Sequence, residues 1–287
     1  MDFESVHQAV TRSDAGWTPK RTPLSDLPPE DRRKYLGFVP APGHATLLER
    51  EQSAATKAAA SLAFAVPLPA SVDWRSRNGS NFITPVRDQG PCGSCVAFGA
   101  IAAMEAQFQI RDNDPSSGID LSEADLFYCT AEAKEGRACG GLNQGWWPSN
   151  ALLALQNDGV VDEACFPYTA GDQPCNTCAD AASRVNNLSS FSTLTTPFAM
   201  KSWLASTGPL VTTINVYDDF VHYGGGIYKH VTGGLGGGHC MCVVGYDDDR
   251  GCWILKNSWN TWWGDAGFIS IAYGEVAVDH TMYGVQV

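Results

Sequence analysis

Between Gln89 and Cys95 the chain reads Gln-Gly-Pro-Cys-Gly-Ser-Cys, and it then continues as Val96-Ala97-Phe98-Gly99-Ala100-Ile101-Ala102-Ala103-Met104 without a polar break. A Gly/Pro turn running straight into an apolar helical stretch places a helix N-terminus inside a core, with Cys95 on its first turn. Backbone N–H groups there lack intrahelical partners, and the helix dipole favours an anion. A cysteine so placed is expected to ionise more readily, and the thiolate is the reactive form. Such a thiolate calls for a base to carry the matching positive charge.

Of six histidines, His239 is the candidate, because it lies between Gly236-Gly237-Gly238 and the strand-like run Cys240–Tyr246. A second strand-like run, Cys252–Lys256, ends at Asn257-Ser258-Trp259. The polar segment Asp247-Asp248-Asp249-Arg250-Gly251 between the two runs predicts a hairpin that brings His239 and Asn257 together at one end. An asparagine carbonyl beside the imidazole would orient its ring, giving a Cys-His-Asn arrangement of nucleophile, base and orienter. Taken singly, His239 also reads as a surface-loop residue and Asn257 as a turn former; their joint occurrence with Cys95 favours the catalytic reading.

These residues resemble the papain-like cysteine peptidases, the family of papain and the cathepsins. His239 and Asn257 follow Cys95 by 144 and 162 residues, near the roughly 130 to 150 usual in that family, and the excess suggests insertions around Gly140 to Trp147. The likeness runs from about Leu68 to the C-terminus through ordered blocks: Pro69–Arg75, Gln89–Cys95, Leu121–Leu126, Phe166-Pro167-Tyr168, Gly238-His239 and Lys256–Gly264. It implies an α+β, papain-like two-lobe fold. A helical lobe (about 90–187) packs against an antiparallel β-barrel-like lobe (about 188–287 plus 67–89), with the active site in the cleft.

The resemblance further implies a cysteine endopeptidase that works through a thioester acyl-enzyme and needs no metal or organic cofactor. Cys95 would be the nucleophile, His239 the base and then the acid, and Asn257 the orienter. The Gln89 amide and the Cys95 N–H would serve the oxyanion, at ~3 kcal/mol per donor. Trp259 would shield the His-Asn hydrogen bond. Gly238 and Gly145 would border the substrate, with Gly145 supplying backbone hydrogen bonds to an extended peptide. Trp146 and Trp147 either wall a specificity pocket or simply pack between lobes. The sequence departs from the family pattern at Val96, at Gly238, and in the longer segment Cys139–Trp147, which carries Gln144 ahead of the glycine. A thiol-dependent acyltransferase and a catalytically silent binding module are the alternative readings.

Ten cysteines bear on compartment. The resemblance implies bridges Cys92–Cys139 and Cys129–Cys175, leaving Cys165 and Cys178 near enough in sequence to pair, and such bridges require an oxidising, secreted, periplasmic or lysosome-like setting. Half a metal site at Cys175-Asn176-Thr177-Cys178 is the lesser alternative, since it lacks a second pair. Cys240, Cys242 and Cys252 read as buried free thiols. Met1–Ser5, by contrast, has neither the basic start nor the apolar core of a secretory signal, which points to the cytosol or to a signal already removed.

Residues 1–70 hold eight basic and eight acidic side chains, so the net charge of −12 arises entirely in residues 71–287, with eleven basic against twenty-three acidic. An acidic body disfavours nucleic acid and anionic membranes, and there is no apolar run of membrane-spanning length. A monomer acting on peptide or protein substrates is expected. The stretch 1–66 differs in texture, with prolines concentrated in Thr18–Pro42 and an alanine-rich, helix-favouring run Ala54–Ala65 closed by Pro67. It reads as a propeptide or an arm lying in the cleft and making the protein a zymogen, or else as an unstructured tail; it lacks the long helix motif of the cathepsin L type prosegment.

Overall fold

The computed structural model describes residues 1–60 and 68–287. The boundary expected between leader and body at 66/67, and the end of the predicted alanine-rich helix, lie outside the described residues. Residues 1–60 are ordered on the body. Helix α1 (Phe3–Ser13) is capped by Asp2, whose carboxylate accepts from Ser5 N at 2.9 Å, and buries Val6 and Val10, one turn apart. Strand β1 (Trp17–Pro19), the short helix α2 (Pro29–Arg32) and helix α3 (Leu47–Ala60) follow.

The helical lobe is built on α4 (Cys95–Asp112), whose residues Cys95–Gln107 are all buried. Six alanines and glycines in that run let neighbours approach closely from every side, and Asn113 ends the helix in the left-handed conformation. A π-helical segment (Asp125–Glu132) and α5 (Pro148–Asn157), which opens with proline at its first position, complete the lobe. Disulfides Cys92–Cys139, Cys129–Cys175 and Cys165–Cys178 staple its loops; the first two are the pairings implied by the resemblance, the third joins the two cysteines left near in sequence, and both cysteines of the alternative metal half-site are consumed by them.

The second lobe carries β3 (Ser190–Leu194), α6 (Pro197–Ser206), β4 (Leu210–Tyr217), β5 (Tyr223–Tyr228), β6 (Leu235–Asp247), β7 (Cys252–Lys256), β8 (Phe268–Ala272) and β9 (Met282–Gln286). These strands pair in the order β1-β5-β8-β7-β6-β4-β9-β3, and β2 (Ser71–Asp73) pairs with β6. All pairings are antiparallel except β5 with β8. The path is open, so the barrel-like lobe expected from sequence is a sheet that does not close among the described residues: β1 pairs only with β5, and β3 only with β9. The predicted hairpin is β6–β7, with Asp247 opposite Cys252 and a register shift between Val243 and Gly245.

The two lobes meet where α4 packs on β6. Behind that contact Lys256 Nζ donates to Thr84 Oγ1 at 2.9 Å, and Thr84 Oγ1 to Glu105 Oε2 at 2.5 Å, joining β7 to α4 through a buried chain. Replacing Cys129 and Cys175 together by serine opens a crosslink spanning 46 residues. The expected cost is about 2–4 kcal/mol of stability, read from the urea midpoint of the non-reduced protein, with no change in far-UV circular dichroism.

Candidate active site

Cys95 stands at the first position of α4. Ser94 precedes it without capping the helix, because its hydroxyl pairs instead with the Tyr168 hydroxyl at 2.8 Å. The helix-end N–H groups are therefore left facing the sulfur. Cys240 N also donates to Cys95 Sγ at 3.3 Å, so β6 meets the thiol directly.

His239 precedes Cys240 on β6 and is fully buried. Its Nε2 lies 2.7 Å from Asn257 Oδ1, which also accepts from Ser258 N at 2.8 Å. That second bond identifies the atom as the amide oxygen, so Nε2 carries the proton and Nδ1 holds the free lone pair. Nδ1 is buried and, among the described residues, has no hydrogen-bond partner. Trp259 covers the imidazole at 4.7 Å between ring centroids and is itself enclosed by Phe220 and Trp263. The hairpin thus does what its spacing suggested: it brings His239 and Asn257 into contact, with Trp259 across them.

Gln89 is buried on the opposite side. Its Oε1 accepts from Ser258 Oγ at 2.7 Å, and its Nε2 donates to Cys92 O at 2.7 Å and to Tyr35 O at 3.1 Å. One amide hydrogen is thus fixed internally and the other is aimed out into the cleft, where a leader carbonyl takes it.

The leader fills the rest of the cleft. Phe38 N donates to Gly238 O at 3.1 Å, Trp146 N to Gly37 O at 2.8 Å, and Val39 N to Trp146 O at 3.5 Å. Residue 37 has to be glycine, because a Cβ there would lie 2.0 Å from Gly93 O. The backbone pairing expected at Gly145 is made one residue later, at Trp146; the Gly145 carbonyl is occupied by Arg137 Nε at 2.7 Å. The Trp146 indole is fully buried and donates to Glu135 at 2.9 Å, which favours the packing reading for that ring. Trp147 is half-buried with the Arg137 guanidinium over it at 4.4 Å.

Two contributors escaped sequence reasoning. Gln144 Nε2 donates to Arg33 O at 2.6 Å and Leu36 O at 2.5 Å, although its position before the glycine was already visible as a departure. Ser258, which orients Gln89, carried no signal beyond following Asn257.

Burial sets the electrostatics. It pushes the Cys95 thiol up to about 12, against the lowering by the N–H groups of Cys240, Gly37, Cys95 itself and Val96. It pushes His239 down to about 4, against the raising by Asn257. The helix end alone suggests a lowered thiol; desolvation outweighs it.

Two outcomes follow. Because the thiol is raised, little thiolate exists below pH 12, so alkylation of Cys95 by iodoacetamide in the full chain should be slow at pH 7 and climb with pH up to about 12. Mass mapping of the adduct checks this. Gly37→Ala should displace the leader from Gly93 and speed Cys95 labelling at pH 7 by roughly tenfold or more, equivalent to about 1.4 kcal/mol.

A profile of the Papain family cysteine protease matches residues 68–285. The chain is 32% identical over 216 residues to Cysteine proteinase 1 of Entamoeba histolytica, covering 72% of this chain and 64% of that one. It is 32% identical over 268 residues to Cathepsin J of Rattus norvegicus, covering 90% and 73%. The chain thus spans about 64% of the length of the amoebic proteinase. The solved structure of proCathepsin B S9 from Trypanosoma congolense shares its fold at a TM-score of 0.78 and 21% identity, over 100% of this chain and 98% of that one. By sequence and by fold, this chain belongs to the papain family of cysteine proteases.

Proposed function

We propose that this protein is a cysteine endopeptidase made as an autoinhibited zymogen, with residues 1–66 as the leader and 67–287 as the peptidase domain. The observation that carries this reading is the buried His239 ring, proton fixed on Nε2 by Asn257 and Nδ1 free, on the strand whose next N–H touches Cys95 Sγ. The match to a proform over the whole chain, leader included, supports the zymogen part.

In the open enzyme, water returns to the cleft and the penalties on charge fall. The helix-end N–H groups then favour a Cys95 thiolate, and the proton moves to His239 Nδ1. The thiolate attacks the carbonyl carbon of an extended peptide held by Trp146 and Gly238. The oxygen, becoming negative, takes the outward amide hydrogen of Gln89 and the Cys95 N–H. His239 Nδ1–H protonates the departing amine, leaving a thioester. A water deprotonated by the same nitrogen releases the acid and restores the thiol.

The leader makes the same backbone contacts with Trp146 and Gly238. The carbonyl of its Leu36–Gly37 peptide is taken by Gln144 Nε2, and that of Tyr35 by the outward amide hydrogen of Gln89.

The test is to incubate the protein, before and after leader removal, with an epoxysuccinyl peptide and map the adduct. Labelling at Cys95 that rises on leader removal is expected; labelling elsewhere, or none after removal, rejects the reading. Transpeptidation onto an added primary amine in preference to hydrolysis would reassign the chain as an acyltransferase. Gln89→Ala should lower kcat on the order of 10²–10³-fold while Cys95 still labels.

A further inference from the structure

The peptide unit joining Gly145 to Trp146 is one of the groups of the helical lobe that hydrogen-bond the main chain in the cleft. Its N–H donates to Gly37 O at 2.8 Å. A planar peptide unit carries its C=O and N–H on opposite edges, so whatever holds the carbonyl also aims the N–H. Here the carbonyl is held by Arg137 Nε at 2.7 Å. Gly145 sits at φ +86°, in the left-handed region that glycine enters freely, and a peptide next to a glycine turns over at little cost. The cleft-facing N–H therefore needs a fixed partner behind it.

Arg137 is built for that task. Its own N–H is anchored on Ala131 O at 2.9 Å, and its guanidinium lies flat enough over Trp147 to sit 4.4 Å from the ring centroid. Among the described residues no carboxylate lies within ion-pair distance of it, so its charge is committed to the Gly145 carbonyl and the Trp147 face. A charged donor on the carbonyl side polarises the unit and strengthens its N–H as a donor on the other side. Cys139, two residues on, is bridged to Cys92 beside the nucleophile, which fixes the distance from this edge to Cys95.

We propose that Arg137 is a positioning residue for substrate: through the Gly145 carbonyl it locks and polarises the Gly145–Trp146 peptide, so that the edge on which an extended peptide pairs is formed before substrate arrives. Trp147 is the platform that keeps the guanidinium in place. The inference rests on the peptidase reading. It assigns to Arg137 binding rather than chemistry, because the residue touches neither the sulfur nor the imidazole's partners.

The experiment compares wild type, Arg137→Met and Arg137→Lys, all processed from the full chain and counted by epoxysuccinyl labelling of Cys95. On a fluorogenic peptide, Arg137→Met should raise KM about tenfold with kcat changed less than about threefold, the pattern of lost uniform binding. Arg137→Lys, which keeps a charged donor but not the planar fork, should fall between the two. In the full-length chain, hydrogen exchange at residues 145–147 should quicken in Arg137→Met while exchange along α4 stays as in wild type. An unchanged KM in labelled enzyme, a loss confined to kcat, or no change in exchange at 145–147 overturns the proposal. Failure of wild type itself to label at Cys95 overturns the peptidase reading instead, and the exchange measurement still judges the role of Arg137 at the Gly145–Trp146 peptide.

Discussion

A thiol on the N-terminus of a buried helix is subject to two opposed forces, and the balance between them governs this molecule. The unpaired N–H groups at the start of α4 favour a negative sulfur. Withdrawal of water favours a neutral one. With the leader across the cleft, withdrawal prevails: Cys95 is pushed up to about 12 and His239 down to about 4. Both shifts favour the uncharged forms of the thiol and the imidazole.

The leader is held by addition to structures already present. β1 extends the sheet beside β5, with the Trp17 indole donating to Lys229 O at 3.0 Å and its ring against Tyr228. α3 lies on β4, where Glu51 accepts from Asn215 at 2.6 Å and from Tyr217 at 2.7 Å. Between these anchors, residues 35–39 cross the cleft on main-chain hydrogen bonds to Gln89, Gln144, Trp146 and Gly238. Main-chain pairing does not discriminate between side chains. The same edges that hold the leader are therefore suited to an extended peptide.

Much of the site was legible because its parts are local. A Gly/Pro turn before an apolar helix, a histidine opening one strand and an asparagine closing its hairpin partner each leave a pattern within a few residues. What was not legible depends on contacts between distant segments. That pairing falls to Trp146 instead of Gly145 follows from Arg137 occupying the carbonyl. That the Trp146 ring packs inward follows from Glu135. The leader's α1 was hidden by a reading focused on proline, although Val6 and Val10 already had helical spacing. The open sheet, where a barrel-like lobe was expected, reflects edge pairings that no single strand encodes.

The sequence by itself determined which residues are capable of chemistry and where the chain must turn, because capping, hydrophobic periodicity and reactive side-chain types are properties of neighbouring residues. Only the tertiary structure decided which nitrogen of His239 is free, which hydrogen of Gln89 faces the cleft, and that the thiol is neutral. Those properties are set by partners and by excluded water, and the groups that supply them, from Tyr35 and Gly37 to Ser258, are brought to Cys95 by folding from as far as 163 residues along the chain.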